Sequence, residues 1–297
     1  MEMNLYSMML LVAEDDEMKK VFKYIRVSVL PIVILLAVLI AIHIITNYKA
    51  NDNLFIYYDI FDITISSNDE LYIVDKEYIH LIKDSKIKSF SNKELRYCTA
   101  ISVFGDYIIT FDNYKDLLLV FYKGELVKEI FIEDKGFAKK IICRDNKAYL
   151  FRQDISELPK GYITVIDLQE GSYANIFIDN IFSFDIFDKD VILIASYNKN
   201  GTNINIYNKE TNSILANKMF DGTVIRDIYI DNERKLLYFI TDDIIGYYNL
   251  YNINVVIKNE FHRETSLIYF LENGFLLSIN INDNTIKKSL LEGMFYQ

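Results

Sequence analysis

Apolar and polar positions alternate along most of this chain in short runs broken by Asn, Asp and Gly. In "NINIYNKETNSILANKMF", residues 203–220, a period of two holds on either side of a polar centre. Successive side chains of a strand point to opposite faces, so the pattern predicts two strands joined by a turn. A lone hairpin is marginal in water, and something must cover it. One segment departs from the alternation. Residues 27–45, "VSVLPIVILLAVLIAIHII", are apolar for nineteen positions, interrupted by Ser28, Pro31 and His43 alone. At 1.5 Å per residue that length approaches the roughly 30 Å hydrocarbon core of a bilayer. No polar face marks it as a soluble helix.

The hairpin pattern recurs at a fixed interval. "YITVIDLQEGSYANIFID" (162–179), "INIYNKETNSILANKMFD" (204–221) and "GYYNLYNINVVIKNEF" (246–261) each read as a strand, an Asp or Asn, a polar turn and a second strand. Asp167, Asn208 and Asn249 fall 41 residues apart, twice in succession. "LLLVFYKGELVKEIFI" (117–132) is an earlier copy, displaced by the insertion "ISELPKG" at 155–161. Upstream of each lies another strand pair, beginning at 62, 100, 140, 185, 227 and 267. Four strands per repeat of about 40 residues is the spacing of a β-propeller blade.

The expected fold is therefore all-β: a six-bladed β-propeller of four-stranded blades over residues 54–297, preceded by one N-terminal transmembrane α-helix. Each blade would bury apolar residues on both faces against its neighbours, and closing the ring removes the exposed ends. The last repeat lacks a fourth strand, and "NLFIYY" (53–58) is expected to supply it. On "VIDLQEG" and "IYNKETN" in the outer hairpins, the chain resembles the bacterial propellers with YVTN, NHL or PQQ-like repeats. The resemblance is architectural. The chain has no tryptophan, so it has neither the Trp-Asp dipeptide of WD repeats nor the tryptophan docking motif of quinoproteins. Known propellers of this kind include enzymes, sugar binders and scaffolds, so fold leaves function open.

Charge around the apolar span sets an orientation. Lys19, Lys20, Lys23 and Arg26 precede it and only Lys49 follows closely, which by the positive-inside rule places the N-terminus in the cytoplasm. The expected organisation is a cytoplasmic tail (1–26), a transmembrane helix (27–47) acting as an uncleaved signal anchor, a linker (48–53) and an extracytoplasmic propeller at the plasma membrane. The formal net charge of −10 argues against nucleic acid, whose binding is dominated by phosphate neutralisation. Cys98 and Cys143 are the only cysteines and form no C-x-x-C pair, so neither a disulfide framework nor a structural zinc site is indicated and both read as buried free thiols.

No nucleophile elbow, zinc helix, Walker loop or dinucleotide fingerprint occurs, so the reading favours a non-enzymatic module. "SYNKNGTN" (196–203) reads as a long turn, and His80 and His262 as core or exposed histidines. Two sets of residues stand out. Aligning the first strands on their turns puts Asp62, Ala100, Lys140, Asp185, Asp227 and Ser266 at one position near the mouth of the central channel. Three carboxylates and an ammonium there would hold a hard cation, which prefers oxygen ligands, or a cationic peptide group, or else cap strand entry and form salt bridges with their neighbours. Asp75, Asp112, Asp154, Asp242, Asp243 and Asp283 follow the second strands and are expected to make one face acidic, suited to a basic partner. The leading expectation is a membrane-anchored module that binds or scaffolds a protein, peptide or glycan at the cell surface, without a cofactor. The loop containing Pro159 is a candidate contact. The alternative is a calcium-dependent propeller hydrolase or lactonase with its metal at the channel, where Lys140 departs from the oxygen ligands that calcium prefers.

Overall fold

The structure is a computed structural model that describes residues 60–84, 86–133, 136–154, 160–250, 255–260, 266–271, 274–280 and 286–291. The expected tail, transmembrane helix and linker (1–53), the closing strand (53–58), the Pro159 loop, His262 and Asp283 lie outside those residues. Among the described residues no helix is long and apolar enough to cross a membrane. The chain divides into two units, Met1–Asn53 and Leu54–Gln297, and the second carries everything described below.

That unit is built of six antiparallel sheets, each a meander in chain order. Blade one comprises β1 (Asp62–Ile65), β2 (Leu71–Asp75), β3 (Tyr78–Lys83) and β4 (Lys86–Ser91). Blade two comprises β5 (Cys98–Phe104), β6 (Tyr107–Asp112), β7 (Leu117–Tyr122) and β8 (Glu125–Phe131). Blade three comprises β9 (Phe137–Arg144), β10 (Lys147–Gln153), β11 (Lys160–Asp167) and β12 (Tyr173–Asp179). Blade four comprises β13 (Ile181–Asp188), β14 (Val191–Asn198), β15 (Gly201–Asn208) and β16 (Ser213–Asp221). Blade five comprises β17 (Asp227–Asp231), β18 (Leu236–Ile240), β19 (Ile244–Asn249) and β20 (Val255–Glu260). Blade six shows three strands among the described residues, β21 (Ser266–Leu271), β22 (Phe275–Asn280) and β23 (Ile286–Leu290).

Local chemistry explains the turns. Asp167 Oδ1 accepts hydrogen bonds from the amides of Gln169 and Glu170, both at 2.9 Å, and Asn208 Oδ1 accepts one from Thr211 at 2.9 Å. Two of the three residues that mark the 41-residue interval are thus turn caps, which short polar side chains make by bonding their own backbone. Asp145, Asn146, Asn180 and Asn212 sit at positive φ, doing in this glycine-poor chain what glycine does elsewhere. The stretch 196–203 is not a long turn. Ser196 pairs with Asn203 and Asn198 with Gly201, so β14 and β15 run through it to a two-residue connection. Gly201 makes this possible at φ +144, where an added Cβ would lie 2.1 Å from the Phe220 carbonyl oxygen.

The second strands are buried on both faces: Ile192, Leu193, Ile194 and Ala195 of β14 are all fully covered. A sheet with two apolar faces needs a neighbour on each side. Six apolar clusters meet that need among the described residues, each shared by two adjacent blades. Val74 and Ile79 meet Ile101 and Phe121; Phe111 and Leu118 meet Ile141 and Leu150; Tyr149 and Phe151 meet Phe184 and Ile192. Leu193 and Ile204 meet Leu237 and Phe239; Tyr238 and Ile240 meet Leu276; Leu277 and Ile279 meet Ile63 and Ile73. The sixth cluster joins last blade to first and closes the ring. Burying a side chain of this size stabilises by about 1.5–3 kcal/mol, so each joint contributes substantially.

The 203–220 hairpin forms the outer half of blade four, as the sequence predicts. Its two strands differ in burial: β15 is largely covered, whereas β16 leaves Ile214 and Leu215 more than half exposed. The outermost strands lie at the rim and reach the flanking blades through a few side chains, among them Phe220 of β16, which packs on Phe239 and Tyr248 of blade five at 5.7 and 5.6 Å.

Candidate functional site at the axial channel

The first strand of every blade faces the axis, with one edge unpaired by any strand among the described residues. Edge amides and carbonyls need partners. Side chains from other blades supply them, most from the blade before and one, Asn232 Nδ2 donating to Ile186 O at 3.2 Å, from the blade after. Asp62 Oδ2 accepts from Ile101 N at 2.9 Å, Ser102 Oγ accepts from Cys143 N at 3.2 Å, and Asp185 Oδ2 accepts from Ile230 N at 2.7 Å. Thr99 donates to Ala138 O at 2.8 Å and Arg144 to Ile186 O at 3.0 Å. The other oxygens of Asp62 and Asp185 accept from the next residue's amide, Ile63 at 2.9 Å and Ile186 at 2.7 Å. These carboxylates are staples between blades.

Lys140 reaches across blade four. Its Nζ donates to Asp227 Oδ1 at 2.8 Å, and to Ser183 Oγ and Ile228 O at 3.3 Å. Ser183 in turn donates to Asp227 Oδ1 at 2.5 Å. The Lys140 and Asp227 side chains keep 24% and 30% of their surface open, and both line the axial cavity. Burial pushes the Asp62 carboxyl up to about 7, although its two amide bonds and the Lys140 charge favour the ionised form. Burial likewise raises Asp185 to about 6, opposed by Lys140 and the amides of Ile230 and Ile186. Desolvation works against the Lys140 ammonium, but Asp227, Asp185 and Asp62 outweigh it and hold the group above the ordinary lysine value.

The structure therefore brings Asp62, Lys140, Asp185 and Asp227 together along a cavity of about 910 Å³ lined by the first strands of all six blades. Ala100 occupies the corresponding place in blade two, but its side chain is fully buried between blades two and three. Ser266 opens β21, and its side chain lies outside the described set. A calcium ion does not fit this arrangement: an ammonium sits amid the carboxylates, and backbone amides occupy the oxygens of Asp62 and Asp185. Among the described residues no group of three or more His, Cys, Asp or Glu is placed to hold a metal.

Asp75, Asp112, Asp154, Asp242 and Asp243 do fall at the ends of second strands, on the face where first strands begin. They do not form one acidic surface. Asp112 is fully buried, accepting from Arg96 N and Tyr114 N at 2.8 Å and from Lys115 N at 3.2 Å. Asp75 is half-buried, 3.8 Å from His80, and Asp242 takes two bonds from Arg226 at 2.9 and 3.3 Å. Turn capping has drawn part of this charge inward. His80 is a core residue at 2% exposure, its Nδ1 2.7 Å from Ser89 Oγ. Desolvation lowers its pKa against the pull of Asp75.

An aromatic collar on the same face escapes the sequence reading. Phe61, Tyr97, Phe137 and Phe182 stand at the starts of the first four blades; Phe61 packs edge-on to Tyr97 at 5.9 Å and Tyr97 to Phe137 at 5.8 Å. Lys76 lies 5.7 Å above Phe61, Lys139 4.7 Å above Phe137 and Arg226 5.9 Å above Phe182. The signal was an aromatic one to three residues ahead of Asp62, Ala100, Lys140 and Asp185. A single aromatic there reads as ordinary core.

No protein family and no characterised protein sequence matches the chain. Solved structures do resemble it. Kuenenia stuttgartiensis hydrazine synthase superposes with a TM-score of 0.59 at 14% identity, covering 81% of this chain and 83% of the other. The Myceliophteria thermophila Cps50 (Swd1) β-propeller domain gives 0.55 at 10% identity over 77% and 82%. KlHsv2 with loop 6CD replaced by a Gly-Ser linker gives 0.54 at 11% over 74% of each. At such identities only the fold is shared, and the chain is, by its own six joints and by these likenesses, a six-bladed β-propeller.

Proposed function

We propose that this chain is a non-catalytic binding or scaffolding module, a propeller displayed on the extracytoplasmic side of a membrane by the apolar segment 27–47. The observation that carries the binding reading is the commitment of the channel's reactive groups. Asp62 and Asp185 hold backbone amides, and Lys140 and Asp227 hold each other. A general acid or nucleophile needs an unengaged group within reach of substrate, whereas a recognition platform needs a rigid frame carrying variable loops. The partner is a protein, peptide or glycan at the cell surface. The membrane part rests on the length and flanking charge of the apolar segment.

Two measurements test the proposal. Protease added to intact cells should remove the domain after residue 53 while sparing the tail, and full protection would defeat the proposed orientation. Cross-linking of the full chain in its native membrane should recover a discrete partner in stoichiometric yield. Turnover of ester, lactone or glycoside substrates that Asp185→Asn abolishes would instead establish an enzyme.

A further inference from the structure

We propose that the channel mouth on the face where first strands begin binds an organic oxyanion, a carboxylate or phosphate ester, between Lys139 and Arg226. The proposal rests on the binding-module reading and names the chemistry of one ligand. Both side chains line the axial cavity and both are exposed. Each lies over an aromatic ring of the collar, Lys139 over Phe137 and Arg226 over Phe182. An aromatic seat holds a cation in place without neutralising it, which lowers the ordering cost when an anion arrives.

The charge balance favours an anion over a cation. No carboxylate described here pairs with Lys139, whose ring contact with Phe137 is its one charged contact. Arg226 spends Nε and one terminal nitrogen on Asp242, and a guanidinium has five N–H donors, so it retains capacity. The carboxylates deeper in the channel are already engaged by amides and by Lys140. A cationic ligand would find the nearest carboxylates already engaged, Arg226 paired with Asp242, and Lys139 repelling it at the mouth. An oxyanion finds donors from blades three and five lining one cavity. About 910 Å³ lies within the roughly 300–1,000 Å³ range of small-molecule sites, room enough for a sugar-sized body behind the anionic group. Because the whole chain carries −10, long-range steering opposes anions, so the affinity expected is modest and salt-sensitive.

The experiment is calorimetric titration of the full-length protein at low salt with glucose 6-phosphate, glucuronate and uncharged glucose. At least one anion should bind with a dissociation constant on the order of millimolar, and glucose should not. Lys139→Ala should weaken that binding about tenfold, Lys139→Arg should stay within about threefold, and Lys93→Ala, 89% exposed and outside the cavity lining, should bind as the parent does. Response to the phosphate alone or the carboxylate alone identifies the ligand class. No binding of either anion, equal binding of glucose, or an unchanged Lys139→Ala would each overturn the site. Cross-linked partner recovery that Lys139→Ala leaves intact would keep the binding-module reading standing while this site falls.

Discussion

Replacing Lys140 by Met removes the one ammonium placed among three channel carboxylates. Its Nζ to Asp227 Oδ1 contact of 2.8 Å is worth about 6 kcal/mol gross at an effective dielectric of about 20. Desolvation and ordering offset most of that. Deleting one partner of a buried pair costs about 3–5 kcal/mol, and the 24% and 30% of the two side chains open to channel water reduces it to about 2–3 kcal/mol. The cost should depend on pH. Asp62 titrates near 7 and Asp185 near 6 in the folded protein, against a starting value of 3.8. Between those values the folded state holds more protons than the unfolded one, so these groups' stabilising contribution is full below about 4 and is lost as pH rises through 6 to 7. Without Lys140 both carboxyls titrate still higher, and ionising them costs more. The variant should therefore lose about 2 kcal/mol at pH 5 and about 1 kcal/mol more at pH 8, since one pK unit equals 1.36 kcal/mol. Equilibrium urea unfolding of the full chain at both pH values, with Asp227→Asn and the double variant, measures the cost and the coupling. An identical loss at pH 5 and pH 8, or coupling below about 0.5 kcal/mol, would refute the placement of Lys140 as the shared counter-ion.

Three further outcomes follow from packing. Gly246→Ala puts a Cβ 2.4 Å from Cζ of the buried Phe239 ring, and overpacking of this kind should lower stability by about 1–3 kcal/mol, read as a shift in urea midpoint. Leu277→Ala, in the joint between last and first blades, should cost about 2–5 kcal/mol; a loss under about 1 kcal/mol would show that the joint is not packed as described. Neither cysteine should react with a thiol reagent before unfolding. Cys98 is fully buried, with its thiol pushed up to about 12 by desolvation and by Asp112, and Cys143 is 7% exposed; rapid labelling of native protein would contradict both placements.

The repeat was legible because its cause is local. A turn cap at Asp167 or Asn208 acts on amides two or three residues away, so it must recur wherever the turn recurs. Apolar runs such as Ile192–Ala195 announce strands covered on both sides, and only stacking neighbours cover a sheet twice. Hence period, blade count and inner hairpins could be read in advance. The length of the turn near Gly201 could not, since strand extension there depends on a backbone approach to Phe220. Asp112 reads as surface charge for the same reason: its inward cap on Arg96 joins residues sixteen apart.

What the sequence determined by itself, then, is everything set by contacts within one hairpin: strand alternation, Asx turns and the interval that counts six sheets. Which polar side chains meet across the axis was settled by the folded ring alone. Lys140 finds Asp227 across 87 residues of chain, and Asp62 finds Ile101 across 39. Each innermost strand has an edge that no strand pairs among the described residues, and side chains from other blades satisfy it, Asp62 and Asp185 from the blade before, Lys140 from two blades before and Asn232 from the blade after; no local pattern records which side chain will reach it. The aromatic collar follows the same rule. Its rings become a mouth lined with seated cations once the first strands of six blades are brought round a common axis.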